Sequence, residues 1–407
     1  MSDTQKHTKP NVPNLRFPGF EGEWERIRVS DLLVFFSTNS LSWEQLEYGG
    51  KEILNLHYGL IHNGLPTQIN LEECTLPSVK PDCKPRKYTL CKDGDVVFAD
   101  ASEDTNDVGK VVEFTNCADR EIVCGLHTIH GRDKLGKTVP GFKGYAFSSS
   151  AFHNQIRRIA QGTKIFSINA GNFEEAFIGI PQKEEQEKIA SLLSLVDQRI
   201  AIQSKVIEDL KKLRAALCDR LYDESHPNCR IGDIIEQSSI RNKGNILNVL
   251  SVSNRYGFIS QTEQFEERSI ASEDTTNYKV VSLNDFAYNP ARINVGSIAR
   301  LKNIEKGIVS PMYICFRCRE VALPEYLEQF FSTKYFSLAV EKRLEGSVRL
   351  CLSFEGLCNI PITLPSLTQQ ESISGKINAI IRKIQLEENY LSVLSNQKQY
   401  ILFHLFI

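Results

Sequence analysis

Apolar residues recur at alternating steps of four and three along one stretch of the chain: Ile189, Leu193, Val196, Ile200, Ile207, Leu210, Leu217 and Leu221. Gln203 and Arg214 fill the two gaps in the series. This is a heptad stripe over more than four repeats, and it predicts a long helix with a seam against another helix. Adding 184 to each number gives Ile373, Ile377, Ile380, Ile384, Leu391, Leu394, Ile401 and Leu405, with Glu387 and Lys398 at the polar positions. A core helix of one large domain is the other reading; the length favours a coiled-coil seam.

Elsewhere the pattern shortens to strand-like runs broken by Gly, Pro, Asn and Asp. They are VVFAD (96–100), REIVCGL (120–126) and KIFSI (164–168), then VVSLNDFAY (280–288), GIVSPMYICF (307–316) and VRLCLSF (348–354). A short helix is expected at 325–343, where Tyr326, Phe330 and Leu338 recur at roughly helical spacing.

The stripes belong to a larger repeat. Pro181-x4-Gln186-x2-Ile189 returns as Pro365-x4-Gln370-x2-Ile373, and Gln161-Gly162-Thr163 as Glu345-Gly346-Ser347. Upstream, Asp107-Val108-Gly109 matches Asn294-Val295-Gly296, Tyr58-Gly59-Leu60-Ile61 matches Tyr256-Gly257-Phe258-Ile259, and Arg28-Val29-Ser30-Asp31 matches Arg230-Ile231-Gly232-Asp233. Five matches in one order predict a duplicated unit. The expected organisation is a lead-in (1–25), a first domain (26–180), a central helix (181–225), a second domain (226–365) and a C-terminal helix (366–407).

Composition adds limits. The 407 residues suit two or three domains. No apolar run reaches the ~18 residues of a membrane span, and the polar start carries no secretory signal. Eleven cysteines at irregular spacings suit a reducing cytoplasm rather than a disulfide framework. Net charge is −2, so any attraction to nucleic acid is local. Residues 120–164 carry eight Lys and Arg against Glu121 and Asp133, and residues 292–319 carry six against Glu305. Under the repeat these clusters overlap, as a DNA-facing surface would require. Solvated sheet edges are the other reading.

Signals for catalysis are few. Gly131-Arg132-Asp133-Lys134-Leu135-Gly136-Lys137-Thr138 fits the phosphate-loop pattern G-x4-G-K-[ST], which needs a helix opening at the lysine. Val139-Pro140-Gly141 follows instead, so the segment reads as a basic loop. A base methyltransferase would need a glycine-rich cofactor loop, and Asn289-Pro290 is followed by Ala291 rather than a second Pro. Cys315-x2-Cys318 lies in a strand-like run that turns the two thiols to opposite sides. No catalytic or metal-binding set is expected, and His127, His130 and His153 read as polar or phosphate-contacting residues.

With these residues in view, the chain resembles the specificity subunit of type I restriction-modification systems. The resemblance rests on PNLRFPGFEGEWERIRVSDL (13–32), on the duplicated Pro-x4-Gln-x2-Ile before each heptad helix, and on DGDVVFAD and LNDFAYNPARINVG. It implies an α/β (α+β) fold, with two target-recognition domains separated by two long antiparallel coiled-coil helices in a pseudo-two-fold arrangement. It implies a non-catalytic subunit that reads a bipartite target in double-stranded DNA. Expected partners are two methyltransferase subunits, which bind S-adenosylmethionine, and ATP-using restriction subunits; this chain itself holds no cofactor. The expected DNA contacts are Lys134, Lys137 and Lys164 in the first domain and Arg292, Asn294 and Arg349 in the second. A stand-alone methyltransferase, a nucleotide-dependent nuclease and a coiled-coil scaffold without nucleic acid are the competing classes.

Overall fold

The computed structural model describes residues 11–50, 52–222, 225–243, 246–254, 256–260, 274–346 and 349–407. It divides into two compact units, residues 1–204 with 390–407, and residues 205–389. Each heptad stripe is a single helix, Lys183–Leu221 and Leu367–His404. At about 1.5 Å per residue the first is about 58 Å long. Both units therefore take residues from both helices.

All twenty seam positions are buried or half-buried, including the polar Gln203, Arg214, Glu387 and Lys398. Leu195, Ile202 and Leu213, which lie between seam positions, are exposed. Within the first unit Asp197 pairs with Lys398 at 2.6 Å and Arg199 donates to the Tyr390 hydroxyl at 3.1 Å. Numbers rise along one helix as they fall along the other, so the pair is antiparallel. In the second unit Lys211 pairs with Glu388 at 2.6 Å.

The core explains that direction. In the first unit Ile189 and Leu193, from the start of one helix, share a core with Ile401, Leu402, Leu405 and Phe406 from the end of the other. In the second, Ile377 shares a core with Cys218 and Tyr222. Leu402 and Phe406 are Cys218 and Tyr222 shifted by 184. Each domain thus buries the first turns of its own helix and the last turns of its counterpart.

The sheets repeat as well. In the first unit a five-stranded sheet runs in the order Leu33–Phe36, Thr128–Asp133, Val96–Ala99, Val111–Asn116, Gln68–Asn70. In the second, Ile235–Ser238, Ile314–Cys318, Phe286–Tyr288 and Ile298–Arg300 repeat its first four positions. Each unit adds a four-stranded sheet containing a parallel pair, Leu54–Leu56 on Ile122–Cys124 and Val249–Ser253 on Lys306–Val309.

Three expectations change. The helix at 325–343 is two helices, Pro324–Phe330 and Lys334–Glu341, because Thr333 caps the second with its side chain on the Phe336 amide. The run VRLCLSF holds no extended strand among its described residues: Cys351 makes one isolated bridge to Glu345, and Phe354–Cys358 is helical. Val348 and the matched Ser347 lie outside the described residues. The Tyr58/Tyr256 match is not a structural one, since Tyr58–His62 is a helix and Gly257–Ser260 a strand.

The repeated glutamine has a structural role. Gln186 is fully buried; its Oε1 accepts from the Val139 amide (2.9 Å), and its Nε2 donates to the carbonyls of Lys137 (3.0 Å) and Pro181 (2.9 Å). Gln370 makes the same three bonds, to Leu323 (2.8 Å), Val321 (3.0 Å) and Pro365 (2.8 Å). Every partner is offset by 184. One side chain thus clamps the chain ahead of the domain's own helices to the start of the long helix.

Candidate nucleic-acid interface

Two small turns, closed by the bridges Gln161–Ser167 and Glu345–Cys351, occupy one repeat position. Each requires glycine. Gly162 has φ +142° and Gly346 φ +125°, and a Cβ would stand 1.8 Å from the Ile165 carbonyl oxygen or 2.3 Å from that of Arg349. Each turn leans on the loop that follows a central strand: the Ile168 amide donates to Asp100 O at 2.8 Å, and the Leu352 amide to Pro290 O at 3.0 Å. Those loops carry the matched Gly109 and Gly296, both with positive φ.

In the second unit this brings the Arg349 turn against the loop that carries Arg292 and Asn294, and all three residues are exposed. In the first unit the turn bearing the exposed Lys164 meets the loop from Asp100 to Gly109. Among the described residues no carboxylate pairs with Lys164, Arg292 or Arg349. Arg157, on the helix Ser150–Ile159, adds a guanidinium at 3.1 Å from Asn106 Oδ1 on the same loop.

Lys134 and Lys137 lie elsewhere, and their ammonium groups are engaged. Lys134 Nζ donates to Ser30 O at 2.9 Å, and Lys137 Nζ pairs with Glu25. Their loop is closed from within by Asp133. Its Oδ1 accepts from the amides of Leu135 (2.8 Å) and Gly136 (3.0 Å), and its Oδ2 from the amide (2.9 Å) and hydroxyl (2.7 Å) of Thr138. Burial pushes the Asp133 carboxyl up, but these bonds outweigh it and hold the group below its usual range. The donors that a phosphate loop would aim at a nucleotide are therefore filled by the chain's own carboxylate.

The basic clusters are smaller in space than in sequence. Arg300 pairs with Glu325 and Glu328, Lys302 with Glu328 and Arg317 with Glu236. In the first unit Arg132 pairs with Asp95 and Lys143 with Glu113. The acids come from distant segments that a local count does not include.

An aromatic group beside Asp100 escaped the sequence reading. Trp43, 45% exposed, packs on His57 with ring centroids 4.5 Å apart, and Tyr58 packs on His57 at 4.7 Å and on His127 at 5.2 Å. His127 is a non-glycine residue at φ +55°, and its Nδ1 lies 3.2 Å from Asp100 Oδ1. Burial pushes the His57 imidazole below its ordinary pKa, and the neighbouring His127 adds to this. Such a surface offers stacking faces and hydrogen-bond groups. His130 is fully buried, and His153 is half-buried.

Residues 126–212 match the family described as type I restriction modification DNA specificity domain. The putative type I restriction enzyme MjaX specificity subunit of Methanocaldococcus jannaschii is 24% identical over 345 residues, 78% of each chain. The MjaVIII specificity subunit of the same organism is 23% identical over 279 residues, 61% of this chain and 65% of its own length. The crystal structure of the S subunit from M. genitalium superposes with a TM-score of 0.57 at 17% identity, covering 97% of this chain and 99% of its own. The chain is thus similar to the type I restriction-modification specificity subunits, in sequence through these matches and in fold along nearly its whole length.

Proposed function

We propose that this chain reads a bipartite DNA sequence for a type I restriction-modification complex, with one half-site read by each domain. The observation that carries this is the duplicated exposed face: a glycine turn bearing Lys164 or Arg349, seated on the loop of Gly109 or of Arg292, Asn294 and Gly296. Unpaired cations on such a face meet phosphates, and neighbouring side chains reach base edges. The helices carry exposed apolar residues, Leu195, Ile202 and Leu213 on one and Leu386 and Val393 on the other, which suits docking of two methyltransferase subunits. Those subunits bring S-adenosylmethionine, and restriction subunits bring ATP. The complex works in the cytoplasm. Among the described residues no helix is long and apolar enough to cross a membrane.

Replacing residues 26–180 by the corresponding region of a relative should change one half of the methylated motif and leave the other. Methylome sequencing of a host expressing the intact system reads this directly. A change in both halves would overturn the two-module reading.

Contacts should sort by type. Lys164→Ala and Arg349→Ala should lower affinity for all sequences, and the slope of log affinity against log salt should fall by about one for each phosphate contact removed. Lys134→Ala and Lys137→Ala should change the slope less, since those ammonium groups already have protein partners. Arg292→Ala, if the residue reads a guanine, should cost about 1–3 kcal/mol at one position and relax specificity there. A pure slope change would make Arg292 a phosphate contact.

A further inference from the structure

Cys91, Cys124 and His130 come from three segments of the first unit, and all three are buried. Cys91 precedes the strand Val96–Ala99, with its amide on Ile122 O at 2.9 Å. Cys124 ends the strand Ile122–Cys124, and His130 lies within Thr128–Asp133. The two Sγ atoms are 3.4 Å apart, and with one ring nitrogen of His130 the three donor atoms lie within 4.8 Å of one another.

The imidazole is held from one side only. His130 Nε2 is bonded to Asp95 Oδ2 at 2.7 Å, and Asp95 is fixed by Arg132 Nε and Nη2, both at 2.7 Å, and by the Lys92 amide at 2.9 Å. His130 Nδ1 is buried and has no hydrogen-bond partner among the described residues. A ring nitrogen in that position costs free energy unless something accepts its lone pair. A carboxylate on one nitrogen with the other left free is how proteins orient a metal-binding histidine.

We propose that Cys91, Cys124 and His130 Nδ1 form a structural zinc site inside the first recognition domain. Zn–S bonds of about 2.3 Å in a tetrahedron put two sulfurs about 3.7 Å apart, so the observed pair needs to open by only a few tenths of an ångström. Charge also closes. Two thiolates neutralise the ion, His130 stays neutral while donating from Nε2, and Asp95 is balanced by Arg132. The site would tie the sheet of Ile122–Cys124 to that of Thr128–Asp133. Among the described residues these are the three donors that converge.

The test is metal analysis of the full chain purified without chelator, in parallel with Co(II) loading. About one zinc per chain is expected, together with a thiolate-to-cobalt charge-transfer band in the near ultraviolet. Cys91→Ser and Cys124→Ser should each lose most of the metal and the band. Should a variant fail to fold, the wild-type cobalt spectrum still decides. A folded wild-type chain that takes up neither metal overturns the proposal. So does zinc retained in both folded variants, or an intact Cys91–Cys124 disulfide in the isolated protein. None of these readouts depends on DNA binding.

Discussion

Lys143→Ala should lower the stability of the first unit by about 3–5 kcal/mol, the usual cost of removing one partner of a buried ion pair. Lys143 and Glu113 are essentially inaccessible, with Nζ 3.1 Å from Oε1. Glu113 Oε2 accepts from the Gly144 amide at 2.7 Å, and Lys143 Nζ donates to Thr138 Oγ1 at 2.8 Å. The pair thus ties the strand Val111–Asn116 to the helix Phe142–Ser148 and to the Asp133 loop. Without the ammonium, a carboxylate remains where water cannot reach it. Replacing both partners, as in Glu113→Leu with Lys143→Met, should recover most of the loss. Urea unfolding of the single and double variants measures this.

The same pair predicts a pH dependence. Burial raises the Glu113 carboxyl above its ordinary value, and the Lys143 charge only partly offsets this. A carboxyl raised in the folded state binds its proton more tightly there. Its ionisation therefore costs stability as pH climbs from the ordinary carboxylate range through the folded value. Removing Lys143 raises that value further. The deficit of Lys143→Ala should accordingly be largest near neutral pH and shrink below the ordinary carboxylate range. A deficit independent of pH would show that lost packing, not the stranded charge, is responsible.

Gln186→Ala and Gln370→Ala should each cost about 3 kcal/mol in their own unit, because each strands one amide and two carbonyls at a buried position. The two tryptophans, Trp24 and Trp43, both lie in the first unit. Tryptophan fluorescence should therefore report the shift for Gln186→Ala. A far-ultraviolet transition should report it for Gln370→Ala, with a smaller change in fluorescence. Equal shifts by both probes in both variants would mean that the units unfold as one.

The long helices and their seam were readable because a heptad is a one-dimensional signal: the residue three or four places on is the spatial neighbour. Gln186 and Gln370 were visible as repeated letters, but their role was not. Their partners Lys137 and Val139, or Val321 and Leu323, lie more than forty residues away. The basic clusters misled for the same reason. Counting neighbours along the chain set only Glu305 against a cluster of six cations, whereas the fold brings Glu325 and Glu328 onto Arg300 and Lys302.

The sequence by itself determined the duplication, the two helices and their register, since each is written in spacing. It also marked Gly162 and Gly346, whose positive φ leaves room for no side chain. The tertiary structure alone decided which cations stay unpaired and that Asp133 fills its own loop. It also decided that Trp43, His57, Tyr58 and His127 pack ring on ring, with His127 on Asp100, and that two cysteines and a histidine converge. Charge and coordination act through distances of a few ångströms, and only folding brings residues tens of positions apart within that reach.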